Sequence, residues 1–273
     1  MRATEAGAEK PVNVRAGNIL IRLAESPAEV RAAQALRYRV FCEEMGSKST
    51  AEMTAARREF DSFDAHCEHL LVFDMNRAGR PESVVATYRM MRREAAERRG
   101  QFYSSDEYDI TKLIEFPGEV LEVGRSCVHP DFRRGSIMQL LWRGIAEYVF
   151  HYDIEILFGC ASLPGTDPEA NALPLAYLYH KHLAPQELRV RALPERYVDM
   201  RLTDADAIDE AAAKAVLPPL IKGYLRLGGY VGDGAVIDPD FNTTDVCVMV
   251  RTDWVTEKYF KHYSRESMTK PQA

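Results

Sequence analysis

The sequence predicts a mixed α/β fold in which a central sheet is flanked by helices. Three observations carry that expectation. Short apolar or alternating runs interleave with segments of helical period along 273 residues. The composition, 46% hydrophobic and 28% charged, is that of an ordinary globular protein with a sizeable core. No repeat or low-complexity tract interrupts the pattern. A single domain over residues 18–263 follows, with a polar flexible arm at 1–17 and a flexible tail at 264–273.

Residues 19–23 read as a strand. Ser26 then caps a helix with Pro27 in its first turn and Glu29 three residues on, a capping-box spacing. Residues 69–74 and 83–91 form a hairpin whose turn spans 76–81. Residues 92–118 are a charged, aromatic insertion. Residues 120–128 make a further strand, followed by a helix over 133–150 with Ile137, Leu140, Leu141, Ile145, Tyr148 and Val149 on one broad face. A buried strand at 154–162, a helix opened by Pro174, a strand at 197–202, a helix after Pro219 and a last strand at 244–250 complete the pattern.

The net charge of -6 argues against a general nucleic-acid binder. Three arginine clusters nonetheless stand out: Arg92, Arg93, Arg98 and Arg99; Arg133, Arg134 and Arg143; and Arg189, Arg191 and Arg196. Such clusters on an acidic protein can steer an acidic macromolecule to one face. The five cysteines are scattered with no CxxC pair, which fits a reducing cytoplasm. No leader and no membrane-length apolar run are visible, so a cytoplasmic protein is expected.

The most informative stretch runs Glu122-Val123-Gly124-Arg125-Ser126-Cys127-Val128-His129-Pro130-Asp131-Phe132-Arg133-Arg134-Gly135-Ser136. A strand ends in Val-x-Pro, and Arg-Arg-Gly-Ser then opens a helix. Main-chain N–H groups at a helix start, backed by two guanidinium groups, suit a phosphate, and Gly135 permits close backbone approach. This stretch resembles the acyl-donor motif of GNAT acyltransferases, whose loop holds the pantetheine phosphate. Aligned on Val128-His129-Pro130, the usual glycine positions hold Arg134 and Ser136, with one glycine between them. That departure suits a carrier-protein donor, which presents one phosphate and no nucleotide.

Arg37-x-x-x-Phe41, Asp61-x-x-Asp64, Arg89 and Glu122-x-x-Arg125 resemble, in order, the pattern of acyl-homoserine-lactone synthases, which have the GNAT fold and take acyl groups from acyl carrier protein. Over nearly the full length after residue 18, the chain is similar to bacterial ornithine–acyl-carrier-protein N-acyltransferases. The phrases that carry this likeness are residues 122–128, 158–162, 217–224 and 238–245. The resemblance implies a GNAT acyltransferase fold with a C-terminal extension, and transfer of a (3-hydroxy)fatty acyl group from acyl carrier protein to the α-amine of ornithine. The donor is the carrier's phosphopantetheine arm, with no tightly bound cofactor and no metal. A two-faced lipid product is compatible with transient contact at the inner membrane surface. A synthase for another N-acyl amino acid or an acyl-homoserine lactone, and a non-catalytic acyl-ligand or carrier-protein binding module, are the competing expectations.

Aminolysis of a thioester needs a proton acceptor, an oxyanion site and a proton for the thiol. Glu122 is the candidate base, with an ion pair to Arg125 or Arg37 as its structural alternative. Main-chain N–H groups at Cys127 and Val128 are the candidate oxyanion donors, with Arg133, Arg134, Gly135 and Ser136 at the donor phosphate. By resemblance, Tyr179 is the candidate near the leaving sulfur, with a tyrosine packed on its helix as the structural alternative. Asp61 and Asp64 are candidates for the side-chain ammonium of ornithine and Arg37 or Arg89 for its carboxylate, with Arg125 beside them; Asp233 and Asp245 are weaker alternatives for the ammonium. The structural alternative is a salt-bridge network that orders residues 46–63. Cys127 and Cys160 lack a paired histidine, so direct transfer is expected. His66 and His69 lack further ligands for a metal. Phe102, Tyr103, Phe116 and residues 217–227 are candidates for an acyl tunnel.

Overall fold

The computed structural model describes residues 10–133 and 136–254. The chain opens with β1 (Asn13–Ala16), β2 (Ile19–Leu23), α1 (Pro27–Arg37), α2 (Ala51–Ala56), β3 (Glu68–Asp74) and β4 (Val84–Arg92). It continues through α3 (Arg93–Arg99), β5 (Tyr108–Asp109), α4 (Thr111–Ile114), β6 (Glu119–Val128), α5 (Ile137–His151), β7 (Ile154–Pro164) and α6 (Ala172–His182). Then follow β8 (Arg191–Ala192), β9 (Tyr197–Val198), α7 (Glu210–Val216), α8 (Pro219–Arg226), β10 (Tyr230–Val231), β11 (Ala235–Asp238) and β12 (Thr243–Arg251).

Ten strands make one mixed sheet in the order β1-β2-β3-β4-β6-β7-β12-β11-β9, with β10 also paired to β12. β6 and β7 pair in parallel and are joined by the crossover helix α5. Alternation sets the two faces. Leu20, Leu71, Phe73 and Val84 pack toward Ala33 and Leu36 of α1, whereas Ile21, Leu70 and Val72 pack toward Leu141, Ile145 and Tyr148 of α5. Each such buried aliphatic contributes about 1.5–3 kcal/mol, so a one-residue slip that exchanged the faces would be strongly disfavoured. Gly144 lets α5 lie close to the sheet, since a Cβ there would stand 2.7 Å from Ile21.

Ser26 caps α1 by accepting the Glu29 N–H, as expected. Glu29 accepts from the Glu25 N–H at 2.7 Å and pairs with Arg22 at 2.6 Å. After Arg37 the helix widens into a π-helical turn over Tyr38–Glu44, a form frequent at functional sites.

Several boundaries differ from expectation. The expected flexible arm overlaps β1, which pairs with β2 from Asn13↔Arg22 to Ala16↔Ile19. Residues 1–9 and the tail at 264–273 lie outside the described residues. α5 begins at Ile137 because Pro130–Phe132 take a 3-10 turn first, capped by His129, whose Nδ1 accepts the Asp131 N–H at 3.2 Å. The strand expected over 197–202 stops at Val198 because Asp199 turns back to accept the Arg201 N–H at 2.9 Å, a local bond that competes with the ladder. The C-terminal extension is woven into the sheet: β12 pairs with β7 from Thr243↔Pro164 to Arg251↔Ile156. Among the described residues no helix is long and apolar enough to cross a membrane.

Candidate active site

β6 and β7 run together only from Glu119 to Glu122, where Glu122 faces Phe158 across the ladder. Beyond that pair the described residues form no β6–β7 ladder, and β6 also carries a bulge against β4 between Cys127 and Gly124. Arg125 lies in this bulge with φ of 50°, in the left-handed region that a non-glycine side chain rarely adopts. The opening holds a cavity of about 410 Å³. Main chain and side chains of β6 from Gly124 to Val128 form one wall; Cys160 to Ser162, Thr243 and Asp245 form the other. Pro219, Leu220 and Tyr224 close it from α8, with Pro218 just before that helix, and Val40 and Phe41 from the π-helical turn.

Glu122 lines this cavity and is buried. Its carboxylate accepts main-chain N–H groups from Tyr103 at 2.9 Å and Ser104 at 2.6 Å. Burial raises its pKa, against the lowering effect of those hydrogen bonds. The expected ion pair to Arg125 or Arg37 is replaced: the insertion between β4 and β6 folds back and supplies peptide donors instead.

The five charged residues expected at the substrate end do gather, but mainly on one another. Arg37 is fully buried and pairs with Glu59 and, at 2.6 Å, with Asp64. Arg89 reaches Asp61 at 2.6 Å and Asp64 at 3.0 Å. Arg125 reaches Asp61 at 3.1 Å and Glu59 at 3.2 Å, and its guanidinium stacks over the Tyr103 and Phe241 rings. Three guanidinium groups thus neutralise three carboxylates. Burial would raise Asp64, but the neighbouring Arg37 and Arg89 outweigh it and hold the carboxyl below its usual range; Asp61 is lowered in the same way by Arg89 and Arg125. Of this group only Arg89 and Arg125 line the cavity. Arg37, Asp61 and Asp64 stand behind its wall, where they fix the loop before β3.

Cys127, Val128 and Arg133 line the cavity. Arg133 donates to the Val128 carbonyl at 3.0 Å and pairs with Glu44 of the π-helical turn. Ser136 is exposed ahead of α5 and is not among the lining residues; Arg134 and Gly135 lie outside the described residues. Tyr179 is not at the cavity. It sits on α6 against His180 and under Arg201, on a helix whose buried face is turned to the core. The cavity phenols are Tyr88, Tyr103 and Tyr224, with the Tyr88 and Tyr224 hydroxyls hydrogen-bonded to each other. Burial pushes the thiols of Cys127 and Cys67 up to about 12 and that of Cys160 well above its ordinary value, so none supplies a thiolate near neutral pH. His69 is buried against the Asp64 carbonyl, while His66 is exposed.

A second acidic group escaped the sequence reading apart from Asp245. Glu107, Asp238 and Asp245 are all buried, each with a carboxylate oxygen within 4.8 Å of the others'. Asp238 and Asp245 line the cavity. The phrase at residues 238–245 was visible as a unit, but nothing in it pointed to Glu107.

Residues 36–143 match the family model described as an acetyltransferase (GNAT) domain. The chain is 44% identical over 256 residues to the L-ornithine N(alpha)-acyltransferase of Brucella abortus (strain 2308), covering 93% of this chain and 91% of that one. It is 47% identical over 249 residues to the L-ornithine N(alpha)-acyltransferase of Rhodobacter capsulatus, covering 90% and 94%. Among solved structures it is similar to an N-acyl amino acid synthase from uncultured soil microbes, with a TM-score of 0.48 and 10% identity over 86% of this chain and 92% of that one.

Proposed function

Because the chain belongs to the family of L-ornithine N(alpha)-acyltransferases, we propose that it joins a fatty acyl group, delivered as a thioester on acyl carrier protein, to the α-amino group of ornithine. The observation that carries this reading is the cavity in the β6–β7 opening, in which a buried carboxylate stands beside strand main chain that has left its partner strand.

In this reading the acyl arm lies along β6 between Gly124 and Val128, where main-chain N–H groups stabilise the oxyanion. Glu122, already raised by burial, takes a proton from the incoming ammonium directly or through a water. The amine nitrogen then bonds to the carbonyl carbon, gives up a second proton as the carbon–sulfur bond breaks, and the leaving thiolate takes that proton. Tyr224 and Tyr88, whose hydroxyls meet at the cavity, relay that proton, the role expected of Tyr179 from the resemblance. Arg125 and Arg89, the two members of the ion-paired group that line the cavity, are the residues offered for the amino-acid carboxylate. Arg133, exposed beside Glu44, offers charge to the acidic carrier or its phosphate. The protein acts in the cytoplasm and meets the inner membrane surface only transiently, when its lipid product leaves.

The test mixes purified protein, 3-hydroxyacyl carrier protein and one amino acid at a time, and follows release of free thiol. Release that depends on ornithine, with the amide found by mass spectrometry, is expected. Equal release with and without any amine would sink the proposal.

A further inference from the structure

The cavity borders two acidic groups with opposite fates. Glu59, Asp61 and Asp64 are matched by Arg37, Arg89 and Arg125. Glu107, Asp238 and Asp245 have no ion-pair partner among the described residues. Glu107 Oε2 and Asp245 Oδ1 are buried without a hydrogen-bond partner among those residues, in side chains of residues only 3% and 6% exposed. The cations nearest to them are engaged elsewhere. Arg196 donates to the Asp106 and Ile237 carbonyls, and Arg125 is held by Glu59 and Asp61. Buried carboxylate oxygens left unmatched are costly, and a bound cation is one partner that satisfies them.

Position and access agree. Ser104 gives its main-chain N–H to Glu122 and has its hydroxyl 3.6 Å from the Cys160 sulfur. The Cys160 thiol is in turn a neighbour of Glu107 and acts to lower that carboxyl. The group therefore begins just past the candidate base, separated from it by Ser104 and Cys160. Asp245 stands across the β7–β12 ladder from Ser162, which is exposed, and Ser162, Asp238 and Asp245 all line the cavity, with Glu107 behind them.

We propose that Glu107, Asp238 and Asp245 form the subsite for the side-chain ammonium of the acceptor, and so make the enzyme select a diamino acid. The inference rests on the acyl-transfer reading, which it deepens by assigning the specificity. In this proposal the α-amine sits at Glu122 and the three-methylene chain of ornithine runs past Ser104 and Cys160 toward the three acids. Asp61 and Asp64, expected for this task from sequence, are already saturated by arginine. Charge also favours an organic ammonium: three anionic side chains give it short charge-assisted hydrogen bonds, whereas a hard divalent ion prefers six or more oxygens.

The test compares ornithine with norvaline, which has the same carbon chain without the terminal ammonium, in acyl transfer and in calorimetric binding, for the wild type and for Asp245→Asn. The wild type should prefer ornithine by roughly a hundredfold or more, as for other buried charge pairs. Asp245→Asn should lower the ornithine kcat/KM and affinity by roughly thirtyfold or more and leave norvaline nearly unchanged. Glu107→Gln should act in the same direction, and thermal unfolding of both variants with Asp245→Glu as a conservative control separates misfolding from lost recognition. Equal use of ornithine and norvaline by the wild type would overturn this proposal and leave the acyl-transfer reading standing. Absence of transfer to any amine would overturn that reading instead, and the calorimetric arm would still decide the subsite. Tight binding of calcium or magnesium ions alone, lost in Asp245→Asn, would also overturn it in favour of a metal.

Discussion

Gly159 of β7 approaches Val123 of β6 so closely that a Cβ on it would stand 2.1 Å from the Val123 carbonyl oxygen. The contact lies one residue beyond the last ladder pair, Glu122 with Phe158. The two strands are thus pressed together at the point from which they diverge, and the opening that holds the cavity starts there. Gly159→Ala forces one backbone away from the other, since a carbonyl cannot swing aside as a flexible side chain can. We expect a loss of roughly 2 kcal/mol or more of folding stability, read by urea denaturation, with activity falling alongside it.

The legible parts of this molecule were those with local signals. The α1 cap, the β3–β4 hairpin and β6 announce themselves through Ser26-Pro27, turn residues and apolar alternation. The five residues from Arg37 to Arg125 were legible as a group, but not what they do to one another, because Glu59 carried no mark that set it apart. Glu122 was legible as a buried acid; its partners were not, since main-chain N–H groups of Tyr103 and Ser104 leave no trace in residue type. Tyr179 was placed by likeness, and its helix packs it away from the cavity. Glu107 joins Asp238 and Asp245 only because the insertion after β4 folds over β12, a tertiary event that periodicity does not reveal.

Asp64→Asn tests the neutralised group. It leaves Arg37, whose side chain is 0% exposed, facing an amide. Breaking one side of a buried pair costs roughly 3–5 kcal/mol. Asp64 has a folded-state pKa below its ordinary 3.8, so its contribution is fully present above about pH 4 and is lost as pH falls through the lowered value. The penalty of the substitution should therefore be large at pH 7 and shrink in denaturation curves recorded toward pH 3. A penalty independent of pH would show that packing, not charge, is at stake.

Glu122→Gln separates base from anchor. The amide keeps an acceptor for one of the Tyr103 and Ser104 donors, which bond separate carboxylate oxygens in the wild type, and cannot take a proton. A general base contributes roughly 100- to 10,000-fold, so kcat should fall within that range while the KM for ornithine changes little. Because burial raises this carboxyl, it is protonated and inactive over more of the acidic range, and wild-type turnover should climb with pH through the raised value. Lowered thermal stability with unchanged kcat would confine Glu122 to holding the insertion in place.

The unmatched acids predict the opposite pH trend. Burial raises Glu107 to about 7, with Asp245 adding to the shift, and raises Asp245 to about 6 against the hydroxyls of Ser162 and Thr243. Both values stand above the ordinary 4.5 and 3.8, so between them the folded state holds more protons than the unfolded chain. Stability must then fall as pH rises through that window, by at most about 1.4 kcal/mol per pH unit for each group. Arg196 and Arg125 moderate the slope, and Cys160 and Cys247 stay protonated throughout. An ammonium seated among the acids compensates the ionised forms, so ornithine should stabilise the protein more at pH 7.5 than at pH 5 and release protons on binding in weakly buffered solution. Urea midpoints with and without ornithine across that range measure the effect. Asp245→Asn should flatten both curves; if its slope matches the wild type, the titrating groups lie elsewhere.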